Sequence, residues 1–326
     1  MERLPKTELL KEILRNYFNE VEGILGVAIC DRDGLIIASQ SKQENEDESD
    51  AIIGALSATL DQAIIDRIRA EFGKTDSFFN ITETGGKKFI FSSMGPNSIL
   101  ATVADQSTSD IELKVYSEHI ASKIELILFG NQFVSPKIPE IIKALSKTRA
   151  GQLPKEGEYS NKLILCGDFQ VGKTSLIRRF VENKFEKDYI STIGVQISKK
   201  TVLLSEKTKL NFIIWDVGGQ EKFDLNRARF YNGANAAFIV IDRTRINNLD
   251  SIEKWNNDIK KAVHRNIPIV VVGNKSDLID EIVISEDEIK KVAKDLDFHY
   301  ILTSALTGEN VNDAFLYIAY RVVETL

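Results

Sequence analysis

Apolar positions three and four apart open the chain and then give way to a two-residue alternation. Lys6 to Glu20 carries helical spacing, and Ile24 to Cys30 and Leu35 to Ser39 read as strands joined by the turn Asp31-Arg32-Asp33-Gly34. The helical period returns from Ala51 to Glu71 as two neighbouring stripes, Ile53, Leu56, Leu60, Ile64 and Ile68 beside Ile52, Ala55, Thr59 and Ala63. The first stripe covers a sheet. The second, built of smaller residues, is either the margin of a wide buried face or a surface for another subunit. Three more strands are predicted at Ser77 to Glu83, Lys87 to Met94 and Ile99 to Ala104, with turns at Gly85-Gly86 and Gly95-Pro96-Asn97. A last helix, Ser109 to Leu128, lines up Leu113, Tyr116, Ile120, Ile124 and Ile127, so the order is α-β-β-α-β-β-β-α.

The pattern lapses from Ser135 to Ser160, where Pro136, Pro139, Pro154, Gly151 and Gly157 frame a short helical piece at Ile141 to Lys147. This is linker chemistry, and it predicts one domain over residues 1–134, a linker over 135–160 and a second domain over 161–326. A length of 326 residues with 43% hydrophobic side chains supports two cores. Net charge of -6 argues against nucleic acid as a partner. Cys30 and Cys166 both sit in apolar runs and read as buried, reduced thiols, which suits a cytoplasmic protein. Met1 to Glu20 lacks a signal-peptide core, and no run is long enough to span a bilayer. The last residues, Arg321 to Leu326, contain no cysteine for prenylation, so no direct membrane anchor is expected. The acidic run Glu44-Asn45-Glu46-Asp47-Glu48 reads as a solvated loop before a helix rather than a cation site. His119 stands alone in a first half without metal-ligand spacing or a nucleophile elbow.

Chemistry concentrates after residue 161. The apolar strand Leu163 to Cys166 runs into Gly167-Asp168-Phe169-Gln170-Val171-Gly172-Lys173-Thr174, which fits G-x-x-x-x-G-K-[ST] between a strand and a helix beginning at Ser175. Backbone N–H groups from Gln170 through Val171, Gly172, Lys173, Thr174 and Ser175 can converge on a di- or triphosphate only where glycine permits the tight path. Lys173 then reaches the outer phosphates, and the Thr174 hydroxyl is a Mg²⁺ ligand. A second strand, Leu210 to Trp215, ends in Asp216-Val217-Gly218-Gly219-Gln220. There Asp216 holds Mg²⁺ through water, and Gly219 lets a backbone N–H turn onto a γ-phosphate. A third strand, Ile267 to Val272, leads into Gly273-Asn274-Lys275-Ser276-Asp277. A carboxylate such as Asp277 accepts two hydrogen bonds from guanine, a donor pair that adenine lacks, while Asn274 and Lys275 brace the loop and stack along the base. After Tyr300-Ile301-Leu302 comes Thr303-Ser304-Ala305-Leu306, with the Ala305 N–H placed for the guanine carbonyl. Four motifs at the carboxyl ends of strands describe one crevice in a doubly wound α/β sheet.

These motifs resemble the Ras superfamily from residue 161 to the end, which implies a P-loop GTPase fold binding GTP and GDP with Mg²⁺. Tyr189-Ile190-Ser191-Thr192-Ile193-Gly194-Val195 looks like Rab switch I; the likeness makes Thr192 a second Mg²⁺ ligand and γ-phosphate sensor, and Phe185 the aromatic residue at the guanine edge. Trp215 to Gln220 is closer to Arf and heterotrimeric α subunits, and places Gln220, alongside Lys173, as the catalytic residue that orients the attacking water. Ser304, Ala305 and Leu306 complete the base loop, with Leu306 where lysine is frequent. Phe169 stands where relatives carry a small residue, and Tyr189 occupies the position of the α subunits' built-in arginine. Hydrolysis without a partner is therefore expected to be slow. Arg227 and Arg229 read more readily as solvated helix arginines than as a cation in cis.

The first half, with its element order and the stretch Gly26 to Ser39, resembles the roadblock/LC7 family over roughly residues 6 to 130. That likeness implies an α+β, profilin-like domain forming homodimers or heterodimers, often as a platform for small GTPases. The combined expectation is a GTP-hydrolysing switch with a docking or dimerisation domain. The alternative is a scaffold that holds GTP without hydrolysing it. ATP-driven work on nucleic acid is disfavoured by Asp277 and by the acidic charge.

Overall fold

In the computed structural model the described residues are 6–31, 35–41, 79–95, 98–131, 133–147, 156–186, 192, 194–205, 207–218 and 224–325. The expected helix from Ala51 to Glu71, the acidic run before it, Tyr189, Gly219, Gln220 and the side chain of Arg227 lie outside them. The chain divides into two compact units, Met1–Ile138 with Ser146–Ala150, and Pro139–Leu145 with Gly151–Leu326.

In the first unit, α1 (Lys6–Glu20) precedes β1 (Ile24–Asp31) and β2 (Ile36–Ser41), and β3 (Phe79–Thr84), β4 (Lys87–Met94) and β5 (Ser98–Asp105) lead to α2 (Asp110–Leu128). All five strands pair antiparallel in the order β2-β1-β5-β4-β3. The central position of β5 explains its nearly continuous apolar run, because both of its faces are covered. Leu9, Leu10, Ile13, Leu14 and Tyr17 of α1 are buried, and so is the whole predicted stripe of α2. Burial on α2 extends past that stripe to Ser117, His119 and Lys123. The Lys123 ammonium is accommodated by donating to the carbonyls of Ser135 and Lys137 at 2.7 and 2.6 Å. The Tyr17 hydroxyl meets Ser117 Oγ at 2.7 Å, and burial pushes its pKa up to about 12.

The helix expected between Ile141 and Lys147 is α3 (Glu140–Lys147). The second unit then runs β6 (Gly157–Cys166), α4 (Lys173–Glu182), β7 (Val195–Ser205), β8 (Thr208–Val217), α5 (Asp224–Tyr231), β9 (Ala236–Asp242) and α6 (Ser251–Ala262). It closes with β10 (Ile269–Asn274), α7 (Glu286–Asp295), β11 (His299–Leu302) and α8 (Val311–Glu324). The sheet order is β11-β10-β9-β6-β8-β7, parallel throughout except for β7, which pairs antiparallel with β8 at the edge. β6 begins at Gly157 rather than Leu163, because its first residues pair with β8 while staying largely exposed, so no apolar run marks them.

Both faces of this sheet are covered. Ile164, Ile239 and Val271 join Trp255 and Tyr231 in one cluster. Phe238, one residue before Ile239, points the opposite way and packs edge-on to Phe315 at 5.0 Å, which in turn stacks on Phe180 at 3.8 Å. β6 has β8 on one side and β9 on the other, so the winding direction reverses there. In a doubly wound sheet the crevice opens at the carboxyl end of such a strand.

Candidate functional site

The loop leaving β6 takes a path that only particular residues allow. A Cβ on Gly167 would stand 2.2 Å from the Val240 carbonyl oxygen, and its φ of +146° adds a conformational demand. Gly172 has φ +98° and caps α4, whose first amides are left without helical partners. Gln170 is also left-handed, at φ +64°, although it is not glycine. Lys173 is buried and its ammonium lies over the loop, 2.6 Å from the Gly167 carbonyl and 2.8 Å from that of Asp168. Together the amides and the ammonium form a positive concavity suited to an anion.

Three oxygen-bearing side chains meet beside it. Thr174 Oγ1 is 2.5 Å from Asp216 Oδ2 and 2.9 Å from Thr192 Oγ1, and Thr192 Oγ1 is 3.3 Å from the same carboxylate oxygen. Asp216 is 2% exposed, and its Oδ1 is buried without a hydrogen-bond partner among the described residues. A carboxylate with one desolvated oxygen left unpartnered and two hydroxyls on its other oxygen is a hard-oxygen donor set that fits Mg²⁺.

The other end of the cleft is built on β10 and β11. Asn274 Nδ2 donates to the Val171 carbonyl at 2.9 Å, and its Oδ1 accepts from the Ala305 N–H at 3.2 Å. One side chain therefore ties the phosphate loop to the loop after β11. Ser304 Oγ donates to Asp277 Oδ1 at 2.6 Å and holds that carboxylate in one orientation. Arg179, on α4, donates to the carbonyls of Ala305 and Leu306 at 3.0 and 2.6 Å, and partial burial lowers its pKa. A cleft of about 450 Å³ runs from Phe169 and Lys173 past Thr174 and Asp216 to Asp277 and Ala305.

The sequence-predicted residues Gln170, Gly172, Lys173, Thr174, Ser175, Phe185, Thr192, Asp216, Asn274, Lys275, Asp277, Ala305 and Leu306 all line this cleft. Val171 and Ser304 are buried behind it and act on its walls. Among the described residues, a phosphate-loop motif, a convergent oxygen set and an Asn-Lys-x-Asp base loop thus share one cavity. A sequence model described as the Ras family matches residues 162–324.

The chain belongs to the Ras family.

Its relatives include the Ras-related protein Rab-1 of Theileria annulata, 41% identical over 51% of this chain and 75% of that protein. The Ras-related protein RGP2 of Oryza sativa is 37% identical over 53% of this chain and 79% of its own length. The GTP-binding protein ypt3 of Schizosaccharomyces pombe is 36% identical over 49% and 74%. The protein is a small GTPase of Rab/Ras type.

The Ras-family unit also recruits residues to which sequence reasoning gave no role. Asp168 is fixed by Trp255 Nε1 at 3.0 Å and Asn248 Nδ2 at 2.7 Å, which anchors the phosphate loop from behind. Asp242, fully buried at the tip of β9, pairs with Lys275 at 2.6 Å. For Asp242 the one sequence signal is position, since like Asp216 and Asn274 it stands at the carboxyl end of a buried strand. Arg229 is exposed on α5 and is absent from the cleft lining, whereas Arg245 lines it.

Proposed function

We propose that the second unit is a guanine-nucleotide switch that binds GTP and GDP with Mg²⁺ and alternates between them by hydrolysis. The observation that carries this reading is the meeting of Thr174, Thr192 and Asp216 beside the Lys173 ammonium, with Asp277 oriented by Ser304 at the far end of the same cleft. Loop amides and Lys173 bind the phosphates, and Asp277 takes the guanine ring and amino N–H groups. Thr174, Thr192 and Asp216 would hold Mg²⁺, whose charge offsets that of the phosphate oxygens. Gln220 orients the attacking water. Gly218 N–H donates to the Gly194 carbonyl at 2.9 Å, which joins the segment after β8 to the one carrying Thr192, so that both respond together to the γ-phosphate.

The first unit is assigned a roadblock/LC7-like role as a dimerisation or docking platform in the cytoplasm, on its antiparallel sheet with flanking α1 and α2. Light scattering on the full chain tests it: a monomer at tens of micromolar removes the self-dimer and leaves pairing with another chain.

The decisive experiment on the switch is single-turnover hydrolysis of GTP with Mg²⁺ by the wild type, Gln220→Leu and Asp277→Asn. Phosphate release by the wild type, its loss in Gln220→Leu and a change from guanine to xanthine preference in Asp277→Asn are expected. Intact GTP retained by wild type and Gln220→Leu alike would replace the switch with the non-hydrolysing scaffold.

A further inference from the structure

Two residues that line the cleft hold left-handed backbone without being glycine, Gln170 and Lys275, each at φ +64°. Such a conformation is strained for an ordinary side chain and persists only when neighbours hold it in place. Both are held, and through the same carboxylate. Lys275 Nζ sits 2.6 Å from Asp242 Oδ2. Arg245 Nε lies 3.2 Å from that oxygen, while its Nη1 donates to the Phe169 carbonyl at 2.9 Å and its Nη2 to Gln170 Oε1 at 3.1 Å.

The topology explains how one acid can serve both. β9 lies between β6 and β10, so its last residue, Asp242, stands between the loop that leaves β6 toward the phosphates and the loop that leaves β10 toward the base. Thr244 N and Oγ1 donate to Asp242 Oδ1 at 2.9 and 2.7 Å, which fixes the carboxylate and leaves Oδ2 facing the two cations. The guanidinium donates one hydrogen bond from each Nη to the phosphate loop while its Nε forms an ion pair with Asp242, an arrangement that a lysine ammonium on a flexible stem does not reproduce.

The geometry points to Arg245 as a positioning residue for nucleotide retention. It clamps Phe169 and Gln170 of the phosphate loop and, through Asp242, links them to the base-loop residue Lys275. This rests on the guanine-nucleotide reading above and extends it to the rate at which product leaves. Phe169 itself lines the cleft, so the bond from Arg245 to its carbonyl acts on the cleft wall directly. Charge-assisted bonds to two loop atoms slow opening of that loop, and dissociation requires it to open.

The test is release of N-methylanthraniloyl-GDP from the full chain with Mg²⁺, chased by excess GDP and followed by fluorescence. Arg245→Ala is expected to release on the order of tenfold faster and Arg245→Lys roughly threefold faster. In a Gln170→Gly background the Arg245→Ala factor is expected to fall to about threefold, because glycine takes the left-handed turn unaided. Wild-type rates in Arg245→Ala, or the same factor in both backgrounds, overturn the clamp, the latter because general damage to the fold would act alike in each. Failure of the wild type to bind the fluorescent nucleotide at all overturns the guanine-nucleotide reading and the clamp with it, whereas binding with unchanged variant rates overturns the clamp alone.

Discussion

A Cβ atom on Gly172 would stand 2.2 Å from Asn274 Nδ2, an atom already engaged with the Val171 carbonyl at 2.9 Å. The two residues come from different motifs, 102 positions apart in number, and each shapes the other's loop. Gly172→Ala pushes Asn274 out of its hydrogen bond and strains a backbone at φ +98°. Isothermal titration with GDP should show affinity reduced on the order of a hundredfold, and an unchanged isotherm would refute the contact.

Asn274→Ala tests the same junction from the other side. It leaves the Val171 carbonyl and the Ala305 N–H without their partner, two losses of about 1 to 3 kcal/mol each if they stay buried. GDP release should quicken at least tenfold, while far-ultraviolet circular dichroism stays as in the wild type.

The oxygen cluster at Thr174, Thr192 and Asp216 predicts a metal dependence. Chelation of Mg²⁺ with EDTA should speed GDP release by on the order of tenfold or more, since metal and nucleotide stabilise each other in one site. In Thr174→Ala that acceleration should largely vanish, because release is already fast when Mg²⁺ is present. An EDTA effect of equal size in both proteins would count against the cluster as the metal site.

Phe315 is 1% exposed and touches three other rings, stacking on Phe180 and meeting Phe212 and Phe238 edge-on. Phe315→Ala should destabilise the Ras-family unit by about 3 to 5 kcal/mol, seen as a lower urea midpoint for its unfolding transition.

Cys30 is fully buried, and burial foremost, with the charge of Asp31 second, pushes its thiol pKa up to about 11. At pH 8 the thiolate fraction is then about one in a thousand. Titration with a disulfide reagent should therefore find neither Cys30 nor the equally buried Cys166 reactive in the native protein and both reactive in guanidinium. Raising the pH toward 11 favours the thiolate, so native reactivity, if it rises at all, rises in that direction.

The parts of this structure that were legible in the sequence are those dictated locally. The bounds of β4 at Lys87 and Met94 are visible in the sequence because glycine turns close it on either side, and the phosphate loop announces itself because its path admits glycine at Gly167 and Gly172 and little else. Nothing in the sequence pattern marks β7 as a strand. Its outward-facing Ile197 and Leu203 are exposed, so apolar residues there do not sort by face. The roles of Asp168, Arg179 and Arg245 were equally hidden, since each bonds to residues 75 or more positions away whose proximity is set by strand order alone.

α4 begins beneath the phosphate loop at Lys173 and, two turns later, places Arg179 on the carbonyls of Ala305 and Leu306 in the base loop. A rigid rod of that kind makes the cleft act as a chelator. Guanosine and pyrophosphate supplied separately would each bind without help from the other, whereas joined in one molecule the second half binds at an effective concentration set by the first. The tight ligand is then the intact nucleotide, and its fragments are weak competitors out of proportion to the contacts they retain.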